Sequence, residues 1–189
     1  MLSWESVQVC VVHPAPESVI TEFDTFQQSF DVRVMTDGQS VLEQLECDDE
    51  VVILDWELET PDARGVIDVV RHRLPEARVL VLTGDVPADD PIGRGADEYL
   101  VTPLQGAALA TAVEQLCIQT AYEKTMKEYF QLATERALLE NEREAGIAVE
   151  DRYEVVTAEL EVCQRRADEL RAAFSREEYG RTLRRLLGE

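Results

Sequence analysis

Short apolar runs alternate with segments of helical spacing along the first 104 residues. The runs are typical of buried strands because they are rich in β-branched and other apolar residues. Five occur, at residues 7–12, 32–35, 51–55, 79–82 and 98–101. Between them, apolar residues three or four positions apart predict helices over about 16–30, 39–47 and 62–74. Between the fourth and fifth runs, Pro87 and Pro91 allow at most a short helix.

This alternation predicts an α/β fold, with a parallel sheet covered by helices on both faces and right-handed crossovers. The first, third and fourth strands are fully apolar and belong at the centre, while the second and fifth suit the edges. The predicted strand order is therefore 2-1-3-4-5, a flavodoxin-like five-stranded sheet. In such sheets a ligand site lies at the carboxyl ends of strands 1 and 3, where His13 and Asp55 are found.

The pattern changes after about residue 105, where long helical periodicity replaces strands. Two helices are predicted, over about 105–144 and 149–174, with a break near Gly146. They can form an antiparallel helical hairpin or an extended coiled coil, and an amphipathic tail packed on its own domain is the other interpretation. We expect domains at 5–120 and 121–189. The second helix carries a heptad over Tyr153, Val156, Leu160, Cys163, Ala167, Leu170 and Phe174.

The charge is strongly acidic and unevenly distributed. The formal net charge is −21, and residues 1–122 hold 23 of the 39 acidic residues but 6 of the 18 basic ones. This argues against direct nucleic-acid binding, which needs clustered lysine and arginine. Lys124 and Lys127 are the only lysines. An acidic, lysine-poor composition indicates adaptation to high salt, and the alternative is a merely acidic soluble protein.

The remaining composition points to a cytoplasmic protein. No apolar run reaches the length of a membrane span, and residues 1–5 lack the features of a signal peptide. The cysteines lie far apart and form no CxxC pair, so free thiols are expected at Cys10, Cys47, Cys117 and Cys163.

Residues 5–120 resemble the receiver domain of response regulators, and residues from about 122 resemble the HalX domain that is attached to receivers in salt-loving archaea. The first resemblance is carried by the motifs VVILD at 51–55, VLVLTG at 79–84 and GADEYLVTP at 95–103. The second is carried by EYFQLATERALLE at 128–140, followed by Arg152-Tyr153 and the heptad segment.

The receiver resemblance implies a role for several residues. Asp55 matches the phosphate acceptor, Thr83 the hydroxyl that contacts phosphate, and Tyr99 the switch aromatic. The family's acidic pair, which helps hold Mg²⁺, falls on His13-Pro14, and its lysine falls on Thr102. No cofactor is therefore expected with certainty, and Mg²⁺ only if the site is still active. A transition metal shared by His13 and Asp55 is an alternative. Pro61 and Gly65 lie two positions later than the family pattern, which indicates an insertion after Asp55.

Two hypotheses follow. In the first, the chain is a response regulator of a two-component phosphorelay, not an enzyme, with a sensor histidine kinase as partner. A degenerate receiver is then coupled to a helical segment, residues 122–174, that binds a protein partner or itself. In the second, a pseudo-receiver of the same fold binds partners without phosphate. A DNA-binding transcription factor is a weaker third class, because no basic recognition helix is visible.

Overall fold

A five-stranded parallel sheet forms the first part of the chain, which confirms the predicted fold class and strand order. The computed structural model describes residues 6–45, 50–59, 61–85 and 90–174. Within them the sheet order is β3-β1-β4-β5-β6, which is the predicted 2-1-3-4-5 once the two-residue strand β2 is left out of the count. The strands are β1 (Gln8–Val12), β2 (Ile20–Thr21), β3 (Asp31–Met35), β4 (Val51–Asp55), β5 (Arg78–Thr83), β6 (Glu98–Val101) and β7 (Leu104–Gln105).

Helices cover both faces of the sheet. Successive residues of each central strand point to opposite faces, so each central strand contributes to two apolar clusters. Val9 and Val11 of β1 lie in one apolar cluster, and Cys10 and Val12 lie in the other. The first cluster is completed by helices α1 and α4, and the second by α2 and α3. The helices are α1 (Phe23–Ser29), α2 (Gly38–Gln44), α3 (Ala63–Arg73), α4 (Gly106–Glu144) and α5 (Glu150–Ala172).

The prediction of one helix over 16–30 is wrong in its first half. Residues 16–18 form a single 3-10 turn, and β2 pairs in parallel with β7, at the position where the next long helix was expected to begin. The backbone N–H of Leu104 donates to the carbonyl of Val19 at 2.9 Å. Apolar spacing alone could not separate these cases, since Ile20 is buried in an extended segment as fully as it would be in a helix.

The other helices agree with their predicted positions, with small shifts at the ends. Helix α2 ends at Gln44, and residues 46–49, with Cys47, lie outside the described residues. Residues 86–89 also lie outside them, and residues 91–95 form turns rather than a helix.

Helices α4 and α5 form an antiparallel hairpin, one of the two predicted arrangements. By its contacts the chain divides into two compact units, Met1–Cys117 and Ile118–Glu189, and the part of α4 after Cys117 forms the hairpin with α5 in the second. Tyr122 packs edge-on against Phe174 with ring centroids 5.4 Å apart, and the Glu135 carboxylate pairs with Arg152 at 2.6 Å. Tyr122, far from the turn, thus meets Phe174 just past the end of α5, whereas Glu135, nearer the turn, meets Arg152 in the first turn of α5. The heptad side chains Val156, Leu160, Cys163, Ala167 and Leu170 are buried.

A left-handed glycine allows the turn of this hairpin. Gly146 has φ 80°, a conformation that side chains disfavour, and it lies where the sequence pattern breaks. No helix among the described residues is long and apolar enough to cross a membrane.

Candidate functional site

The carboxyl edge of the sheet brings together the residues that the sequence singled out. His13 follows β1, Asp55 ends β4, Thr83 ends β5 and Thr102 follows β6. Because the strands are parallel, these positions share one edge. The side chain of Asp55 comes close to that of His13, with Asp55 Oδ2 3.6 Å from His13 Nε2.

His13 is held in one orientation by the backbone. Its N–H donates to the Met35 carbonyl at 2.9 Å, and its ring Nδ1 accepts a hydrogen bond from the Ala15 N–H at 3.0 Å. An acceptor nitrogen carries no proton, so this geometry corresponds to the neutral imidazole with its proton on Nε2, facing Asp55. A separation of 3.6 Å is too long for a direct hydrogen bond, so the two groups are in contact without being firmly joined.

Asp55 is only partly satisfied. Its Oδ1 accepts a hydrogen bond from the Glu57 N–H at 2.9 Å, while Oδ2 faces His13. The Asp55 side chain is 15% exposed. A carboxylate can accept about four hydrogen bonds, so Asp55 retains acceptor capacity at the open edge of the sheet.

Thr83 and Thr102 are tied to backbone rather than to Asp55. The Thr83 hydroxyl donates to the carbonyl of Asp85 at 2.8 Å. Thr102 donates to the Thr83 carbonyl through its N–H at 2.8 Å and its hydroxyl at 3.3 Å. In place of a lysine that would reach outward to phosphate, Thr102 closes the loop against the end of β5.

Two other predicted residues take ordinary positions. Tyr99 is half-buried and packs against the cluster between the sheet and helices α2 and α3. Pro14 is exposed and has no side-chain group that could bind a metal. Trp56 is half-buried, with the Arg64 guanidinium 5.9 Å from its ring.

The donor set does not fit Mg²⁺. Among the described residues, no group of three His, Cys, Asp or Glu side chains is placed to hold a metal ion. Mg²⁺ requires a near-octahedral shell of oxygens, whereas the Asp55 carboxylate faces an imidazole. A transition metal shared by His13 and Asp55 would have these two side-chain ligands among the described residues. His13 already uses its Nδ1 to accept a hydrogen bond from Ala15.

The loop after Asp55 joins the site to α3. Asp62 caps this helix by accepting from the Gly65 N–H at 2.9 Å. Gly38 lies against the same loop, and a Cβ there would be 2.8 Å from the Pro61 carbonyl oxygen, so only glycine fits without a shift. Sequence reasoning missed the cap and the Glu57 contact, although an aspartate just before a helix or at the end of a strand is typical of such local side-chain-to-backbone bonds.

The described cysteines take no part in the site. Cys10, Cys117 and Cys163 are free and buried. Burial, with a smaller effect from the Glu50 charge, raises the pKa of the Cys117 thiol to about 12. Burial and a hydrogen bond with Glu128 raise the pKa of Cys163. Both thiols therefore stay protonated and unreactive at neutral pH.

Comparison with known proteins agrees with the division of the chain into two compact units. Residues 119–186 match the HalX domain. A protein of Haloferax volcanii, described by name as a transcriptional regulator, is 29% identical over 145 residues. The match covers 73% of this chain but 25% of that relative, so the chain spans about a quarter of the relative's length.

Solved structures resemble the first unit. The signal receiver domain of a Luxo repressor protein from Vibrio parahaemolyticus has a TM-score of 0.52 and 18% identity, covering 61% of this chain and 92% of that one. The chemotaxis response regulator CheY4 of Vibrio cholerae has a TM-score of 0.51 and 18% identity, covering 59% and 98%. At this identity the likeness concerns the fold. The chain therefore combines a receiver-like fold with a segment, residues 119–186, that is similar to the HalX domain.

Proposed function

We propose that this protein is a response regulator of two-component signal transduction, with Asp55 as the phosphoacceptor of a degenerate receiver. The observation that carries the proposal is the position of Asp55. It ends a central strand of a receiver fold, at the sheet edge, with unused acceptor capacity. The partner proposed for this site is a sensor histidine kinase, and the setting is cytoplasmic.

The output side of the proposal rests on α4. This helix begins at Gly106, three residues after Pro103, and runs without interruption to Glu144, so it belongs to both compact units. A change at the carboxyl edge near Thr102 can therefore act on the first turn of the same helix that forms the hairpin. We place the receiver at 5–120 and the helical domain at 121–189, with residues 122–174 binding a protein partner or a second copy.

Direct DNA binding is not part of the proposal, although the Haloferax volcanii relative is named as a transcriptional regulator. A net charge of −21 opposes contact with a phosphate backbone, and the lysines are limited to two. An effect on transcription would then pass through a protein partner.

A second candidate function is a pseudo-receiver that binds partners without phosphate. It is favoured by the residues around Asp55. His13 lies beside Asp55 at a position where the receiver resemblance implies a metal-binding carboxylate. The Thr83 hydroxyl donates to the Asp85 carbonyl, and the Thr102 hydroxyl donates to the Thr83 carbonyl. Losing one charged contact to a phosphate costs about 1.5–3 kcal/mol. The losses together predict slow adduct formation, since each 1.4 kcal/mol is about tenfold in rate.

The test is to incubate the full chain with acetyl phosphate or a sensor kinase in high salt, with and without Mg²⁺. Intact-mass measurement and a phosphate-affinity gel should detect one phosphoryl group per chain. The adduct should disappear in Asp55→Ala and persist in Asp24→Ala, which removes an exposed carboxylate in the first turn of α1. Absence of any Asp55-dependent adduct in every salt condition would exclude the phosphorelay function and leave the pseudo-receiver.

A further inference from the structure

The outer face of α4 in the second unit carries an unusual apolar exposure. Phe130 and Leu138 are 59% and 61% exposed, the two highest values among the exposed large apolar side chains of the described residues. Thr134 lies midway between them, and residues four apart share one side of a helix. The Thr134 hydroxyl is bonded to the Phe130 carbonyl of its own helix at 2.8 Å.

This face points away from the hairpin partner. The contacts of α4 with α5 are made by other residues: Tyr122 against Phe174, Glu135 with Arg152, and Arg143 over the Tyr153 ring. Leu139 is buried, whereas its neighbour Leu138 is not. The hairpin therefore uses one side of α4 and leaves the Phe130–Thr134–Leu138 face uncovered.

The charges along this face reverse from one end to the other. Lys124 and Lys127, the only lysines of the chain, are exposed on the amino-terminal side of Phe130, and Glu128, also exposed there, is hydrogen-bonded to Cys163 of α5. Glu142 and Glu144 are exposed on the carboxyl-terminal side of Leu138. A partner of uniform charge would match one end and repel the other, whereas an antiparallel copy of the same helix matches both.

We propose that the Phe130–Thr134–Leu138 face of α4 pairs with the same face of a second copy, antiparallel and about a two-fold axis at Thr134. A two-fold contact is self-complementary, so Phe130 of each copy packs beside Leu138 of the other. At 100° per residue, Glu142 lies on the same flank of α4 as Lys124, and along the axis it is two residues, about 3 Å, from the position that the two-fold relates to Lys124. Each Lys124 therefore meets a Glu142 of the other copy.

This pairing is expected to be weak. One helix face buries less than the ~800 Å² per partner of a standard stable interface, so we expect association to be reversible and to need high protein concentration. The inference rests on the proposed role of residues 122–174 as an interaction segment. It does not depend on chemistry at Asp55, so a chain that forms no phosphoryl adduct can still pair and the two proposals fail separately.

The first test is disulfide cross-linking at the symmetry axis. Thr134→Cys should form a covalent dimer under mild oxidation on a non-reducing gel, because facing residues on the axis come within disulfide distance. Ala158→Cys is the matched control, since Ala158 is also small and exposed, on α5. The parent chain gives the background of the native cysteines. Cross-linking of Thr134→Cys no greater than that of Ala158→Cys would overturn the proposal.

The second test is a charge exchange in the Thr134→Cys background. Lys124→Glu should lower cross-linking about three- to ten-fold at moderate salt, because symmetry applies each substitution twice. Adding Glu142→Lys should restore it. Circular dichroism should show unchanged helicity in each variant, since both positions are exposed. A double variant that cross-links no better than Lys124→Glu alone would exclude the antiparallel pairing.

Discussion

Asp97 and Asp55 are carboxylates at opposite ends of the same sheet, and their surroundings differ. Asp97, just before β6, accepts from Arg71 at 2.6 Å, from Arg78 at 3.2 Å and from the Val79 N–H at 2.7 Å, and its side chain is 2% exposed. Asp55, at the end of β4, has one backbone donor at 2.9 Å and a histidine at 3.6 Å. A saturated, buried carboxylate holds strands together, whereas an unsaturated one at a strand end remains available for chemistry.

Ion pairs between arginine and Asp97 therefore hold the amino end of the sheet, whereas hydrogen bonds to backbone carbonyls hold the carboxyl end. Arg71 also donates to the carbonyls of Gly95 and Ala77, so this one side chain ties α3 to the entries of β5 and β6. At the other end, Thr83 and Thr102 use hydroxyl and amide groups to close their loops. The difference explains how residues at the carboxyl edge can vary without loss of the fold.

The largest expected effect comes from removing Asp97. Asp97→Ala takes away the carboxylate that pairs with Arg78, which is 3% exposed at its side chain, and should lower the free energy of unfolding by about 3–5 kcal/mol. Asp55→Ala, which loses one backbone hydrogen bond, should change it by about 1 kcal/mol or less. Urea unfolding followed by tryptophan fluorescence, with Trp56 reporting on the receiver unit, measures both. Equal losses would contradict the distinction between the two carboxylates.

An intermediate effect is expected from restoring the family residues around Asp55. His13→Asp places a second carboxylate beside the acceptor, and Thr102→Lys adds an ammonium group for phosphate oxygens. We expect Mg²⁺ to change Trp56 fluorescence in His13→Asp but not in the parent chain. The double variant should form the Asp55 adduct roughly 10- to 100-fold faster, which corresponds to about 1.5–3 kcal/mol.

The matched control for this gain is His72→Asp, the same substitution at an exposed histidine in the last turn of α3. It should leave both the Mg²⁺ response and the adduct rate unchanged. If His13→Asp responds to Mg²⁺ no more than His72→Asp, His13 does not occupy the metal side of the acceptor.

The alternation of strands and helices was enough to predict the sheet order and the shared edge of His13 and Asp55. Orientation at that edge was not predictable, because the Thr83 hydroxyl and the His13 ring are directed by backbone groups of Asp85 and Ala15. Such groups exist at every residue and leave no mark in the sequence. The Asp97 network was missed because its members are far apart in the sequence: Arg71 bonds to Gly95 and Asp97, which are 24 and 26 residues away.

The smallest expected effect concerns Asp37, a third and exposed carboxylate, at the N-cap of α2. Hydrogen bonds from the Ser40 N–H and hydroxyl, at 2.8 and 3.0 Å, lower the pKa of Asp37 below its usual 3.8. A folded pKa below the unfolded one means that the stabilisation is present above pH 3.8 and is lost as the pH falls through the folded pKa. Carboxyl NMR titration should show this lowered midpoint, and Asp37→Asn should keep the cap without its pH dependence.

A midpoint at or above 3.8 would mean that the cap is not formed in solution. A lowered midpoint would group Asp37 with Asp97, as a structural carboxylate, rather than with Asp55. The Asp37 oxygens already accept hydrogen bonds within the first turn of α2. The extent to which a carboxylate's oxygens are already bonded, more than its exposure, then separates structural carboxylates from one that is available for chemistry: Asp37 is the more exposed, yet Asp55 has the unused acceptor capacity.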